Sequence, residues 1–195
     1  MTMTTMRRTT SAAFALALAL AAGACLPTYQ GQSRAVAPAQ LRADRAWLLV
    51  DAPPVRQRAD VDCGAAALAM VVARWRPELD HARIARSVRV VDDGFRLGDL
   101  RDVARAAGLR AFAVQGDRAL LRYELERGRP VMIGLHRPYG DRARAHYEVV
   151  IGVHPDGRVA TIDPADAKWH VRPWKGLEAE WDSAGRPALV VVGVR

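Results

Sequence analysis

The sequence contains few cysteines, few lysines and few aromatic residues. Cys25 and Cys63 are the only thiols among 195 residues, which excludes the disulfide framework typical of small secreted domains. Only two of the 29 basic residues are lysines, and the arginines are spread over every predicted helix, which indicates a compositional bias. No basic module with interleaved aromatic residues occurs, so nucleic-acid binding is not expected despite the net charge of +8.

The N-terminal segment has the pattern of an export signal. Arg7 and Arg8 precede an apolar run at residues 12–22, which is too short to cross a bilayer as a helix. A basic segment followed by a short apolar segment and small residues is typical of a signal peptide. We therefore predict that residues 1–24 are a signal peptide and exclude them from fold reasoning.

Residues 22–25, Ala-Gly-Ala-Cys, resemble the lipobox of bacterial lipoproteins. The resemblance implies that Cys25 is lipidated and that the chain is anchored at the periplasmic face of the cell envelope. Leu26 rather than Asp after this cysteine favours the outer membrane over the inner one. The same residues fit a plain small-x-small cleavage site, so secretion into the periplasm is the alternative.

The rest of the chain divides into a tether and one folded domain. We expect residues 25–45 to be the lipidated N-terminus and tether, because they are polar and contain proline and glycine. Residues 46–195 are long enough for a single domain with a sizeable core. A disulfide between Cys25 and Cys63 is not expected, because it would tie the leader junction to the best predicted helix.

Helices precede strands along the domain. A strongly helical run follows Cys63, a polar helix is predicted at 80–87, and a third helix ends at Gly108. Strands are expected at 111–114, 130–135, 146–153 and 158–163 and at the C-terminus, with helices at 118–127 and around 177–181. This order predicts an α+β fold in which the N-terminal helices pack on an antiparallel sheet.

Four residues have the chemistry of a nucleophilic cysteine hydrolase. Cys63 is expected at a helix N-terminus, where unpaired N–H groups stabilise a thiolate. His146 and Asp163 lie at the open end of a predicted hairpin whose turn is His-Pro-Asp-Gly, so they should face each other. Gln57, six residues before the cysteine, offers an amide donor for an oxyanion.

Taken singly, these residues have ordinary structural explanations. Cys63 could be a small buried hydrophobic residue, and His146 a strand-end histidine with satisfied hydrogen bonds. Asp163 could serve turn chemistry before Pro164. Their combination in one chain order favours nucleophilic catalysis over these separate explanations.

The residues also resemble a known family, the C39 peptidases. The resemblance lies in Gln57-x5-Cys63-Gly64, in His-Tyr at a strand start and in Asp163-Pro164, and it extends over about residues 55–194. It implies a papain-like cysteine peptidase fold, here as a stand-alone lipoprotein. Family members best known from bacteriocin-exporting transporters cleave after a double glycine.

The resemblance implies a role for each of the four residues. It gives Cys63 as nucleophile, His146 as general base and acid, Asp163 as its orienter, and Gln57 with the Cys63 N–H as oxyanion hole. His136 is the competing base, whereas the other histidines, His81, His154 and His170, are expected in surface or turn positions. No metal site and no cofactor are expected, because paired ligand spacing is absent from the sequence.

The favoured function is a cell-envelope cysteine endopeptidase that cleaves a protein or peptide after small residues through an acyl-enzyme. One alternative is a catalytically inactive, C39-like peptide-binding module of a secretion or surface complex. Another is a papain-like amidase or acyl transferase, since thiolate, imidazole and oxyanion hole serve every acyl transfer. The partners expected are a peptide or protein substrate and, through Cys25, the membrane.

Overall fold

A computed structural model describes residues 32–91, 94–139 and 142–193. The predicted signal peptide and Cys25 lie outside the described residues. The strands are β1 (Arg34–Val36), β2 (Leu48–Leu49), β3 (Arg110–Gln115), β4 (Val131–Tyr139), β5 (Arg142–Val153), β6 (Arg158–Asp163), β7 (Lys168–Pro173) and β8 (Pro187–Val192). The helices are α1 (Pro38–Ala43), α2 (Cys63–Val72), α3 (His81–Ser87), α4 (Leu97–Ala106), α5 (Arg118–Glu126) and α6 (Trp174–Ser183).

The strands form one antiparallel sheet in the order β1-β7-β6-β5-β4-β8-β3, with β2 paired to β5. Alternate residues of the central strands point to opposite faces, so each face has its own core. Met132 packs with α2 and α4 on one face, whereas Val131 and Ile133 pack with α5 and α6 on the other. The α+β fold expected from the sequence is confirmed, with helices on both faces of the sheet.

Helix α2 is apolar on all sides because it is surrounded by protein. All ten of its residues are buried, and its alanine-rich sequence lets α3, α4 and β5 approach closely. At Gly64 a Cβ would lie 3.0 Å from Leu100 Cδ1 and 3.1 Å from Tyr147 Cδ2. The glycine after the cysteine is therefore required by packing.

The structure differs from the sequence-based expectation at the N-terminus of the domain. Residues 34–43, expected in the tether, form β1 and α1. β1 pairs with β7, in the register Arg34↔Val171, and Leu41 of α1 is buried at 4% exposure. The folded unit therefore begins at least as early as Arg34. Pairing with the edge of β7 satisfies backbone hydrogen bonds that the same residues would make with water in a flexible tether.

The central hairpin is also longer than expected. The strands predicted at 130–135 and 146–153 both extend toward each other, and the pairing of β4 with β5 runs from Val131↔Val150 to Tyr139↔Arg142. Strand β7 was not anticipated from the sequence.

No helix within the described ranges is long and apolar enough to cross a membrane.

Candidate active site

Three elements bring Cys63, His146 and Asp163 together. Cys63 is the first residue of α2 and is buried, His146 lies in β5, and Asp163 ends β6. Nε2 of His146 donates a hydrogen bond to Asp163 Oδ1 at 2.8 Å, and the ring also hydrogen-bonds the Cys63 side chain. Because Nε2 is engaged by the carboxylate, the contact to the thiol uses Nδ1. The hairpin expected from the sequence therefore aligns carboxylate, imidazole and thiol.

The surroundings of His146 favour its charged form. Burial alone would lower the pKa of His146, but the hydrogen bonds to Asp163 and Cys63 outweigh it and raise the pKa from 6.5 to about 9. For Asp163, burial acts to raise the pKa, yet the bond from His146 and the charge of Arg137 hold it well below its usual range. The two groups therefore form an ion pair at neutral pH.

Asp163 is held by two further donors besides His146. Its Oδ1 also accepts a hydrogen bond from the Ala165 N–H at 2.9 Å, and its Oδ2 accepts one from Arg137 Nη1 at 2.9 Å. Both carboxylate oxygens thus have fixed partners. The carboxylate plane, and with it the direction of the His146 ring, is set by these contacts.

Arg137 belongs to a buried ion-pair network that sequence reasoning missed. It donates a hydrogen bond to Glu148, and Arg172 links Glu148 Oε2 at 2.6 Å with Glu180 Oε2 at 2.8 Å. The side chains of Glu148 and Arg172 have no exposed surface, and Glu180 has 2%. The only signal in the sequence was a glutamate within the apolar strand that follows His146.

The predicted oxyanion donor Gln57 is turned toward its own loop. Its Nε2 donates to the Ala59 carbonyl at 3.0 Å, and its Oε1 is buried without a partner among the described residues. The Gln57 backbone N–H donates to the Pro164 carbonyl at 2.9 Å. This bond ties the Gln57 loop to the end of β6, next to Asp163.

Asp62, immediately before Cys63, holds the same loop from within. Its carboxylate accepts hydrogen bonds from the backbone N–H groups of Arg58 and Ala59 and lies 2.9 Å from His81 Nε2. Asp62 and His81 are both buried. Asp62 precedes α2 but makes no side-chain cap to it. Its role is to brace the segment that leads into the cysteine helix.

The expected surface or turn positions are wrong for His81 and His170, whereas His154 lies in the turn 154–157 as expected. His81 and His170 are buried at 5% and 6% exposure, and the His154 side chain is 12% exposed and packs on Trp47. Each has a carboxylate nearby, which for His170 is Asp166 at 3.1 Å. The carboxylates beside His81 and His170 offset the cost of burying these two imidazoles. His136 is exposed, and its Nδ1 contacts the Ser183 carbonyl at 2.9 Å.

A cleft of about 310 Å³ opens beside Cys63 and His146. Much of its wall consists of small residues and proline: Gly94, Gly134, Ala145, Ala184 and Pro187. At Gly134 a Cβ would lie 2.9 Å from Pro187 Cγ, so a larger residue cannot be accommodated there without movement. Phe95 and Tyr147 supply the apolar part, and the Tyr147 hydroxyl donates to the Phe95 carbonyl at 3.0 Å. The cleft is therefore tight where Gly134 meets Pro187.

Two sets of side chains place metal-ligating atoms within 4.8 Å of one another: His146 with Glu148 and Asp163, and Asp163 with Asp166 and His170. Asp163 belongs to both sets, and its two oxygens already accept hydrogen bonds from His146 and Arg137. A cation would have to displace these partners and approach the Arg137 guanidinium. The arrangement therefore fits an ion-pair network better than a metal centre.

Comparisons with known proteins identify relatives of this domain. The family model of the peptidase C39 family matches residues 51–184. A search of curated protein sequences found no match.

Among solved structures, the peptidase domain of Streptococcus ComA, a bifunctional ABC transporter of a quorum-sensing pathway, is 22% identical with a TM-score of 0.59. That match covers 72% of this chain and 97% of the ComA domain. A double-glycine-motif protease from an AMS/PCAT transporter, solved with its leader peptide, is 21% identical with a TM-score of 0.55, covering 75% and 94%. A putative C39-like peptidase from Bacillus anthracis is 17% identical with a TM-score of 0.58, covering 75% and 98%.

These structures share the fold of the described domain, and the family model spans most of the folded unit, including the elements that bear Cys63, His146 and Asp163. The chain belongs to the peptidase C39 family and is a cysteine peptidase.

Proposed function

We propose that the chain is a cell-envelope endopeptidase that cleaves a protein or peptide through a Cys63-His146-Asp163 triad. The observation that carries the proposal is the position of His146, which donates a hydrogen bond to Asp163 Oδ1 at 2.8 Å and lines the same cleft as Cys63, a group that helps to raise its pKa. The raised pKa of His146, about 9, favours an imidazolium beside the thiol at neutral pH. An imidazolium stabilises a thiolate, which is the nucleophilic form of cysteine.

In this reaction the Cys63 thiolate attacks the scissile carbonyl carbon, and the carbonyl oxygen becomes an oxyanion. As the C–N bond breaks, His146 transfers its Nδ1 proton to the leaving amine, which leaves an acyl-enzyme thioester. Water then attacks the thioester while His146, now neutral, accepts its proton, and the C–S bond breaks to release the carboxyl product and restore the Cys63 thiolate beside the imidazolium. Asp163 stays ionised and holds the ring in one orientation throughout.

The oxyanion requires donors close to Cys63. The Cys63 N–H is at the first position of α2, where backbone donors have no partner within the helix. Gln57 can supply a second donor if its Nε2 leaves the Ala59 carbonyl and turns toward the cleft. Catalytic contacts often tighten only when substrate binds. In the present rotamer Gln57 Oε1 is buried without a hydrogen-bond partner among the described residues.

We propose that the bond cleaved follows a pair of small residues, such as Gly-Gly or Gly-Ala, in an extended segment. Gly134 and Pro187 both line the cleft and lie so close that a Cβ at Gly134 would be 2.9 Å from Pro187 Cγ, which supports limited room for a bulky residue before the cut. The double-glycine specificity of one structurally similar protease, solved with its leader peptide, agrees with such a substrate. Steric rejection in a narrow channel discriminates more strongly than the ~1 to 3 kcal/mol that one methylene contributes in an open pocket.

A peptide library profiled with the purified protein tests the proposal. We expect cleavage products that end in paired small residues, and none with the Cys63→Ala variant. A clear preference for large apolar or basic residues before the cut would contradict the narrow-channel argument. Retention of peptides without cleavage would favour an inactive binding module, and transfer to an amine would favour an acyl transferase.

The same Cys63→Ala variant, expressed in the native envelope, serves as a substrate trap. We expect it to retain a protein that carries an uncleaved small-residue pair. A retained peptidoglycan peptide would instead favour an amidase. Wild-type protein is the matched control, because it should release the cleaved product.

We further propose that the domain is anchored at the periplasmic face through lipidated Cys25, with the outer membrane favoured and free periplasmic secretion as the alternative. The lipobox-like sequence at 22–25 supports this proposal. Residues 26–33 precede the first strand and can span at most ~30 Å when fully extended. The domain would therefore work close to the membrane surface, where envelope and exported proteins are accessible.

A further inference from the structure

Arg137 connects the candidate triad with charges buried in the core. Its Nη1 donates to Asp163 Oδ2 at 2.9 Å, and its Nη2 donates to Glu148. Its Nε lies 4.0 Å from Glu180 Oε2, and its side chain is only 12% exposed. The guanidinium therefore touches the carboxylate that orients His146 and is itself hydrogen-bonded to the buried Glu148.

The position of Arg137 follows from strand alternation. Arg137 in β4, Glu148 in β5, Asp163 in β6 and Arg172 in β7 lie on neighbouring strands, on the sheet face that α6 covers. Their hydrogen bonds cross four strands. An arginine fits this position because its planar fork can bridge two carboxylates at once, which a lysine ammonium does less well.

The charges around His146 come from four elements. Cys63 of α2, Asp163 of β6, Arg137 of β4 and Glu148 of β5 all influence the imidazole or are influenced by it. Asp163 acts to keep the proton on the ring, and the charge of Arg137 opposes it. Arg137 is thus the cation that competes with His146 for the same carboxylate.

We propose that Arg137 is a positioning residue of the triad. It holds Asp163 Oδ2 so that Oδ1 faces His146, and it shares the negative charge of the Asp163 carboxylate with the imidazolium. This inference rests on the proposed function, because it concerns the proton that His146 gives to the leaving amine. An acid that holds its proton too tightly is a poor donor. By weakening the hold of Asp163, Arg137 keeps His146 able to release its proton.

The substitution Arg137→Met removes the competing charge and the contact to Asp163. We expect the titration midpoint of His146 to move from about 9 to higher pH by about one unit, as a neighbouring charge typically causes. The kcat for a cleaved peptide should fall about 10-fold, with KM changed less than twofold, because Arg137 is not among the residues that line the cleft. The midpoint is followed by NMR of the His146 ring, assigned with His146→Ala.

Arg137→Lys provides a second measurement in case Arg137→Met does not fold. Lysine keeps the charge but cannot bridge Asp163 and Glu148 as a fork. We expect the His146 midpoint to stay within ~0.3 pH units of wild type, well below the ordinary effect of a lost charge, while kcat falls severalfold. A kcat per folded molecule equal to wild type in Arg137→Lys, or a midpoint in Arg137→Met that stays or falls, would overturn the proposal.

A double variant, Arg172→Met with Glu180→Gln, is the matched control. It removes a buried arginine and a buried glutamate from the same network but leaves the contacts of Arg137 to Asp163 and Glu148. We expect a lower unfolding temperature with an unchanged His146 midpoint. A shift of the midpoint as large as in Arg137→Met would assign the effect to core packing and overturn the positioning role.

The two levels of inference fail separately. If wild type cleaves no peptide but the His146 midpoint still rises in Arg137→Met, the proposed peptide cleavage fails and the electrostatic role of Arg137 stands. If wild type cleaves peptides while the midpoint is unchanged in Arg137→Met, the proposed function stands and the role of Arg137 fails.

Discussion

Replacing Asp163 by asparagine should remove most of the preference of His146 for its charged form. The pKa of His146 rises from 6.5 to about 9 in the folded protein, where burial opposes the rise and the hydrogen bond that His146 donates to Asp163 is the largest favourable cause. At ~1.4 kcal/mol per pH unit, this rise corresponds to about 3 kcal/mol in favour of the imidazolium. Asparagine keeps an acceptor for the ring but removes the charge.

In this variant the hydrogen bond with Cys63 remains as a cause that favours the charged form of His146. Burial still lowers the pKa, and Arg137, which loses Asp163 but keeps its contact to Glu148, opposes the imidazolium. We therefore expect the pKa of His146 in Asp163→Asn to fall below its ordinary 6.5. At neutral pH the Cys63 thiolate then lacks its cationic partner, and activity should drop on the order of 100-fold, the factor that 3 kcal/mol represents. His146→Ala should cost more, because an amide at 163 can still orient the ring.

The assay uses a Cys25→Ser background, so that Cys63 is the only thiol. Iodoacetamide labelling of Cys63 is followed by mass spectrometry between pH 5 and 10, together with NMR titration of His146. Asp166→Asn is the matched control, because it makes the same change three residues away at a carboxylate that contacts His170. A His146 midpoint that remains near 9 in Asp163→Asn would refute the assignment of Asp163 as the source of the charge preference.

Three further predictions concern stability and the membrane anchor. The folded-state pKa of His146, about 9, lies above its unfolded value, so the protonation of His146 stabilises the fold fully below pH 6.5 and this contribution is lost as pH rises through 9. Thermal unfolding of wild type should show this loss of stability, and thermal unfolding of His146→Ala should not. Gly64→Ala should lower the free energy of unfolding by on the order of 1 kcal/mol in denaturant, because the added Cβ would crowd Leu100 and Tyr147. Gly98→Ala has open space around it and should stabilise the helix slightly. Equal effects of the two substitutions would contradict the packing argument. Labelling with a fatty-acid probe should vanish in Cys25→Ser and persist in Cys63→Ser, while an unmodified Cys25 in the soluble periplasmic fraction would defeat the lipoprotein proposal.

The local pattern of the sequence determined the elements that carry the candidate site. The alanine-rich run after Cys63 can bury all its sides and forms α2, and Gly108, with φ +78°, ends α4 as expected from a residue without a Cβ. The turn at 154–157 pairs β5 with β6 and so brings His146 to Asp163. These features depend on spacing and backbone conformation over a few residues, which a sequence displays directly.

Only the tertiary structure decided which polar residues are buried and what they contact. Arg137, Glu148, Arg172 and Glu180 are separated by up to 43 positions, and each resembles an ordinary surface charge until four strands and α6 enclose them. β1 similarly has no local signal, because β7, the strand with which it pairs, lies more than a hundred residues away. Burial and long-range pairing depend on distant segments meeting, and the electrostatics of the Cys63 site depend on them in turn.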